Sequence, residues 1–185
     1  MNFKADQTFD RTFIFETAEY DNCVFNNCDF SGSDLSGGTF LDCRFIDCNF
    51  SMCKSLRTSF QDAVFTECKL LGFRFDQCNP MMFAAQFENC QLDLVSFYRM
   101  KLRKQRFVTC SMREVDFTET DLTQAFFKEC DLTGALFDNT ILEKADLRAA
   151  HNFSLDPEAN YIRGCKLMLS GTPGLLHKYG LDIEP

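Results

Sequence analysis

The feature that most restricts what this chain can become is a period of five. From Tyr20 a large side chain returns at every fifth residue: Tyr20, Phe25, Phe30, Leu35, Phe40, Phe45 and Phe50, then Ser55 as a weak member, then Phe60, Phe65, Leu70 and Phe75. Two residues earlier stands a small one, as at Cys23, Cys28, Ser33, Gly38, Cys43 and Cys48. Asn, Asp, Ser and Gly occupy many of the positions between. An amphipathic helix repeats at about 3.6 residues and a half-buried strand at about 2, so the pattern is neither. A short period held along a chain marks a solenoid, whose units bury their apolar side only by stacking on one another.

The register breaks once, at 76–82, where seven residues replace five, and resumes as Met82, Phe87, Leu92, Phe97, Leu102, Phe107 and onward to Leu147. Ile162 and Leu167 return to it after an excursion through Asp156-Pro157-Glu158. Steps of twenty, with two added across the break, align Phe25, Phe45, Phe65, Phe87, Phe107, Phe127, Leu147 and Leu167. The same step aligns Cys28, Cys48, Cys68, Cys90, Cys110 and Cys130, and also Tyr20, Phe40, Phe60, Met82, Leu102, Leu122 and Leu142. Four sides per coil follow, with 76–82 bulging outward and leaving the walls in place. The predicted object is an all-β square tube whose coils stack at the ~4.8 Å spacing of a sheet. The large residue and the small one before it point inward, and Gly and Asn beyond the large residue suit the corners. The tube is expected to run over 1–167, with 1–19 as an irregular capping coil because Phe3, Phe9, Phe13 and Phe15 miss the period.

The triplets Thr120-Asp-Leu122, Cys130-Asp-Leu132 and Ala145-Asp-Leu147 resemble the consensus of the pentapeptide-repeat family, and the resemblance covers about residues 20–150. It implies a right-handed quadrilateral β-helix. Residues 27–37 resemble the N-terminal coils of the Qnr quinolone-resistance proteins. The end, from Cys165-Lys-Leu-Met-Leu-Ser170 to Leu175-Leu-His-Lys-Tyr-Gly-Leu-Asp-Ile183, resembles their dimerisation segment. The resemblance to the Qnr and MfpA group implies binding to DNA gyrase or topoisomerase IV by DNA mimicry, with an effect on quinolone sensitivity. Qnr proteins carry two projecting loops, whereas this chain has only the short bulge around Asn79-Pro80-Met81 and is in that respect closer to loop-less MfpA.

Residues 168–185 read as a short helix and tail. Thr172 is placed to cap the helix, Pro173 to begin it, Lys178 to lie in its last turn and Gly180 to stop it, with Leu181-Asp-Ile183 extended beyond. Leu175, Leu176 and Tyr179 are expected to pack on a second copy and make a two-fold homodimer; the alternative is that the segment only plugs the tube's own end.

Composition narrows the chemistry. Eleven cysteines invite a metal or disulfide reading, but no C-x-x-C pair occurs and they sit at the inward small position, Cys78 at the bulge being ambiguous. They are therefore expected to be free core thiols, in a cytoplasmic setting that keeps them reduced. The two histidines, His151 and His177, form no triad with a nucleophile, and no glycine-rich phosphate loop occurs, so no enzyme, cofactor or metal is expected. No apolar run reaches the ~18 residues of a membrane span. A formal charge of −8 speaks against direct nucleic-acid binding and for a basic partner.

That charge is segregated. Residues 1–53 carry nine acidic and three basic side chains, 54–113 five and ten, and 114–146 nine and two. Arg99, Lys101, Arg103, Lys104 and Arg106 make a basic belt, set against either an acidic partner or the carboxylates of neighbouring coils. The acidic belt Glu114, Asp116, Glu119, Asp121, Glu129, Asp131, Asp138, Glu143 and Asp146 is the candidate partner-binding surface, fit for a Lys- and Arg-lined groove built for DNA. The alternative is a scaffolding repeat protein that docks an unrelated partner on its flat sides or at the bulge.

Overall fold

The computed structural model describes residues 2–11 and 15–182; Phe13 and Ile183 lie outside them. The chain winds as a right-handed quadrilateral β-helix in which every strand pairing is parallel. One wall is a continuous eight-stranded sheet running from Thr8–Asp10 through Val24–Asn26, Arg44–Ile46, Ala63–Thr66, Ala85–Glu88, Arg106–Val108 and Phe126–Asp131 to Asp146–His151. Its register pairs Phe25 with Phe45, Phe65 with Phe87 and Phe107 with Phe127, so the alignment at twenty, and at twenty-two across the insertion, is the physical one. A second wall begins as the strands Asn2–Ala5, Ala18–Asp21, Thr39–Leu41 and Ser59–Gln61, and the other walls are held by isolated parallel bridges.

Two aromatic geometries build the core. Along the axis the rings lie nearly parallel, with centroids 4.8 Å apart for Phe45–Phe65, 5.3 Å for Phe65–Phe87 and 4.6 Å for Phe30–Phe50. Around each coil they meet edge to face, as in Phe40–Phe45 at 75° and Phe45–Phe50 at 86°. Both are favoured by the ring quadrupole, and a tube with one ring per wall supplies both at once. Ser55 is buried where a ring is expected, and its hydroxyl donates to the Arg74 carbonyl. Phe73, at a position normally small, reaches towards both Phe50 and Phe60, the rings flanking Ser55, and so fills the room the serine leaves.

The small position also has a hydrogen-bonding task. Cys43, Cys48, Cys53 and Cys68 each donate to the inward carbonyl of the large residue twenty-three positions earlier. Thr58, Thr120, Thr140 and Asn160 do the same with oxygen or nitrogen. Cys, Thr and Asn are thus interchangeable here because each is compact and brings a donor to a buried carbonyl, which at Phe30, Leu35, Phe97 and Phe117 also accepts the backbone N–H three residues on. All eleven cysteines are free; ten are buried and Cys165 is half-buried. Burial pushes the Cys28, Cys43, Cys53 and Cys78 thiols up to about 12. An alkylating reagent must reach the sulfur, and only Cys165 is not buried. It is therefore expected to modify at most Cys165 in the native chain, and all eleven thiols after denaturation, as read by intact mass. Fast native labelling of two or more would contradict this packing.

Three expectations change. Residues 2–10 are not irregular: Asn2–Ala5 and Thr8–Asp10 pair in register, and Phe9 stacks on Phe25 at 4.8 Å. The period misses them because the first coil is shorter, Phe9 lying sixteen residues before Phe25, and because Lys4 lies opposite Tyr20 with its ammonium 5.6 Å from the ring centre. At the break, Met82 does not join the Phe60 wall. It is 67 % exposed, in a turn with Met81, while half-buried Phe83 packs on Phe75. Pro80 has no N–H for the ladder, so the two extra residues are spent on an outward turn. Finally, the expected short C-terminal helix is present, as the two 3-10 segments Leu169–Leu175 and His177–Tyr179, but its start differs. Thr172 donates to the Leu169 carbonyl instead of capping, and Pro173 lies inside the first segment. Gly180 does end the run, at φ 61°.

Candidate protein-binding surface

Most walls end in a corner residue held at positive φ, among them Asp42, Asp47, Asp62, Lys104, Glu129 and Lys144. Corner side chains point to solvent and stack coil upon coil, so residues twenty apart in sequence are neighbours. This decides the fate of the charged belts. Arg99 forks onto Glu119 through bonds of 2.7 and 3.1 Å, Arg103 lies 3.2 Å from Asp121, and Arg113 lies 2.7 Å from Asp131. Arg148 pairs with Asp146 within one wall. Of the two fates set out for the basic belt, Arg99 and Arg103 take the second, meeting the carboxylates of the next coil.

Four members of the acidic belt have local work besides. Asp116, Asp121, Asp131 and Asp146 stand just before the large residue, and each accepts the backbone N–H two residues on. Burial pushes the Asp131 carboxyl up, but hydrogen bonds from Thr133, Asn152 and the Arg113 guanidinium outweigh it and hold the group well below the usual carboxylate range. Arg99 likewise lowers Glu119, and Arg148 lowers Asp146. Glu114, Glu129, Asp138 and Glu143 are exposed and make no ion pair among the described residues.

A stronger acidic surface lies where the sequence reading did not look. The eight-stranded wall is flanked in the N-terminal half by two corners, one carrying Asp42 and Asp62, the other Asp47 and Glu67. All four are exposed, and none is in an ion pair among the described residues. The signal that finds them is the residue two beyond the large one, read every twenty positions; counting net charge by segment hides it.

The C-terminal segment closes the tube. Gly171 and Gly174 lie directly on Phe153, and the Leu155 N–H donates to the Gly174 carbonyl at 3.1 Å. Leu175 packs against the core, which suits the plug reading, whereas Leu176 and Tyr179 are exposed beside Met168 and Leu169. Lys178 ties the segment back through Asp156 at 2.7 Å and Glu158 at 2.6 Å. Beside the insertion, Phe75, Pro80, Met81, Phe83 and Met100 line an open cleft of about 530 Å³. Among the described residues no group of His, Cys, Asp and Glu is arranged to hold a metal ion, and His151 and His177 are both exposed. No helix among them is long and apolar enough to cross a membrane.

A four-walled coil of five-residue units, with an inward ring and an inward small residue on each wall, defines the pentapeptide-repeat class. Family models agree: "Pentapeptide repeats (8 copies)" matches residues 21–54 and "Pentapeptide repeat region" matches residues 81–151. Together they span more than half of the chain, which belongs to the pentapeptide-repeat family. Among solved structures it is similar to a trypsin-treated variant of QnrB1, a plasmid-mediated fluoroquinolone resistance protein, with a TM-score of 0.65 and 19 % identity over 99 % of this chain and 98 % of that one. Full-length QnrB1 gives a TM-score of 0.52 at 22 % identity, covering 97 % and 100 %. HetL, a pentapeptide repeat protein involved in heterocyst differentiation regulation in the cyanobacterium Nostoc, gives 0.53 at 14 %, covering 91 % and 85 %. These likenesses establish the fold. No curated protein matches the chain.

Proposed function

We propose that the chain is a non-enzymatic binding protein that imitates duplex DNA and occupies the basic DNA groove of a type II topoisomerase, DNA gyrase or topoisomerase IV, thereby altering quinolone sensitivity. One observation carries this reading: two rows of carboxylates without counter-ions, Asp42 with Asp62 and Asp47 with Glu67, edge one wall of a narrow rod. Over the two coils they span, at ~4.8 Å each, two carboxylates per coil make one negative charge per ~2.4 Å of axis, offset in part by the exposed Arg44 between them, against about one per 1.7 Å in duplex DNA. A groove lined by Lys and Arg meets a comparable line charge and gains the same long-range attraction. Glu114, Glu129, Asp138 and Glu143 extend the negative surface towards the C-terminus, while Glu119, Asp121, Asp131 and Asp146 contribute less because arginines already screen them. Leu176 and Tyr179 are the residues through which a second copy joins at the C-terminal end, giving a homodimer and a rod of twice the length. The abundance of unpaired thiols suits a reducing, cytoplasmic setting.

The test is a supercoiling and binding assay with purified gyrase, run with and without a quinolone. The variant combines Asp42→Asn, Asp47→Asn, Asp62→Asn and Glu67→Gln. Asn already occupies such corners at Asn22, Asn27 and Asn89, so the replacements suit the local backbone. Wild-type binding is expected to weaken steeply with salt, and the variant to bind roughly tenfold more weakly or worse. Unchanged binding by the variant, or binding indifferent to salt, would reject the mimicry and favour docking on the flat sides or at the 530 Å³ cleft.

A further inference from the structure

One corner of the tube changes sign at its midpoint. It joins the wall of Tyr20, Phe40 and Phe60 to the eight-stranded wall, and the strand register orders its residues coil by coil. Asp6, Asn22, Asp42 and Asp62 come before Ala84 on this corner; Lys104, Gln124, Lys144 and Gly164 come after it. The positions beside the corner follow suit, with Glu19 and Asp21 in the first half and Lys101, Arg106 and Arg163 in the second. Arg44 and Glu143 are exceptions; Asp121 and Asp146, also in the second half, are already paired with Arg103 and Arg148. Asp42, Asp62, Lys101, Lys104, Arg106, Lys144 and Arg163 make no ion pair among the described residues. An edge with its acids at one end, its bases at the other and Ala84 between them has a specific symmetry: it is complementary to itself when turned end for end.

We propose that this edge pairs with the same edge of a second, antiparallel copy of the chain, about a two-fold axis through the Ala84 rung. Asp62 lies one rung before Ala84 and Lys104 one rung after it, so the axis sets each Asp62 against the partner copy's lysine at matching height. Asp42 then lies between the levels of the lysines at 104 and 144 of the other copy, and Asp6 at the level of its arginine at 163. A parallel copy places carboxylate on carboxylate along the whole length. An isologous interface requires this inversion, and the corner supplies it without an apolar patch. The contact is electrostatic and on the surface, so it weakens with salt, unlike an apolar joint through Leu176 and Tyr179. Because Asp42 and Asp62 also belong to the surface assigned above to a basic partner, self-pairing masks them until such a partner competes.

The test uses the purified full chain alone, so its outcome is independent of topoisomerase binding. Sedimentation equilibrium at about 50 and about 500 mM NaCl is expected to show an association constant roughly tenfold higher or more at the lower salt. One variant carries Asp42→Lys with Asp62→Lys, and a second carries Lys104→Asp with Lys144→Asp. The chain already uses Asp and Lys at these left-handed corners (φ 50° at Asp42, 60° at Lys104), so both variants keep residue types native to such positions, and circular dichroism checks them. Each variant alone is expected to lose the salt-sensitive association. An equimolar mixture of the two is expected to regain it as a heterodimer, an outcome that misfolding of either variant does not produce. A wild-type mass indifferent to salt, salt-sensitive association retained by either variant alone, or a mixture that fails to associate would overturn the proposal.

Discussion

Phe65→Ala is expected to lower the unfolding free energy by about 3–5 kcal/mol, the cost of emptying a fully packed aromatic site. Phe65 is completely buried and stacks between Phe45 at 4.8 Å and Phe87 at 5.3 Å. It also meets Phe50 at 5.6 Å and Phe60 at 5.5 Å edge to face. The neighbouring rings belong to parallel strands locked in register, so they cannot close the void without breaking the ladder. A solenoid couples each coil only to the next, and a cavity midway along it also weakens communication between the two ends. The denaturant transition, followed by far-UV circular dichroism because the chain has no tryptophan, is therefore expected to shift to lower denaturant and to broaden. The same change at half-buried Phe9, in the first coil, is expected to cost distinctly less. A loss below about 1 kcal/mol at Phe65 would mean that the aromatic column is not the structural spine.

Gly174→Ala is expected to unseat the C-terminal plug. A methyl group built at Gly174 runs into the carbonyl oxygen of Phe153, which is backbone and cannot swing aside. The turn must lift, and the bond from the Leu155 N–H to the Gly174 carbonyl is lost with it. Phe153 and Leu155, 6 % and 4 % exposed, then meet water, at about 1.5–3 kcal/mol for each side chain fully exposed. The open end of a parallel coil also presents unpaired N–H and C=O groups, a template for edge-to-edge association. Faster amide exchange at 153–155 and concentration-dependent aggregation are the expected readouts, with the upstream coils keeping their protection. Gly32→Asn is the matched control: nothing lies within 4 Å of a methyl group built there, and Asn serves other left-handed corners of this chain. Wild-type exchange in the Gly174→Ala chain would contradict the plug.

Most of the core was legible because burial in a solenoid is a matter of phase. Once Phe25 is inward, so is every fifth residue, and the twenty-residue column of Phe and Cys names the walls. The phase was lost where the chain stops counting in fives. Pro80 and the extra residues around it turned Met82 outward, and the short first coil hid the place of Phe9 under Phe25. The C-terminal turn escaped for a different reason. Thr172-Pro173 and Gly180 are helix-end signals, but the close approach of Gly171 and Gly174 to Phe153 sets the geometry between them, and that contact is tertiary.

The proposed binding surface was far less legible, and its charges show why. Asp121 and Arg103 stand eighteen residues apart in the chain and 3.2 Å apart in space, so a run of acids read along the sequence is not a negative patch on the molecule. The sequence by itself determined the period, the inward residues and the number of walls, because these depend on hydrophobic spacing that repeats within twenty residues. Which charges cancel, and which stand in rows without counter-ions, was decided only by the tertiary structure. Coil stacking brings together side chains from different turns of the chain, and a Coulomb interaction depends on that distance rather than on order in the sequence.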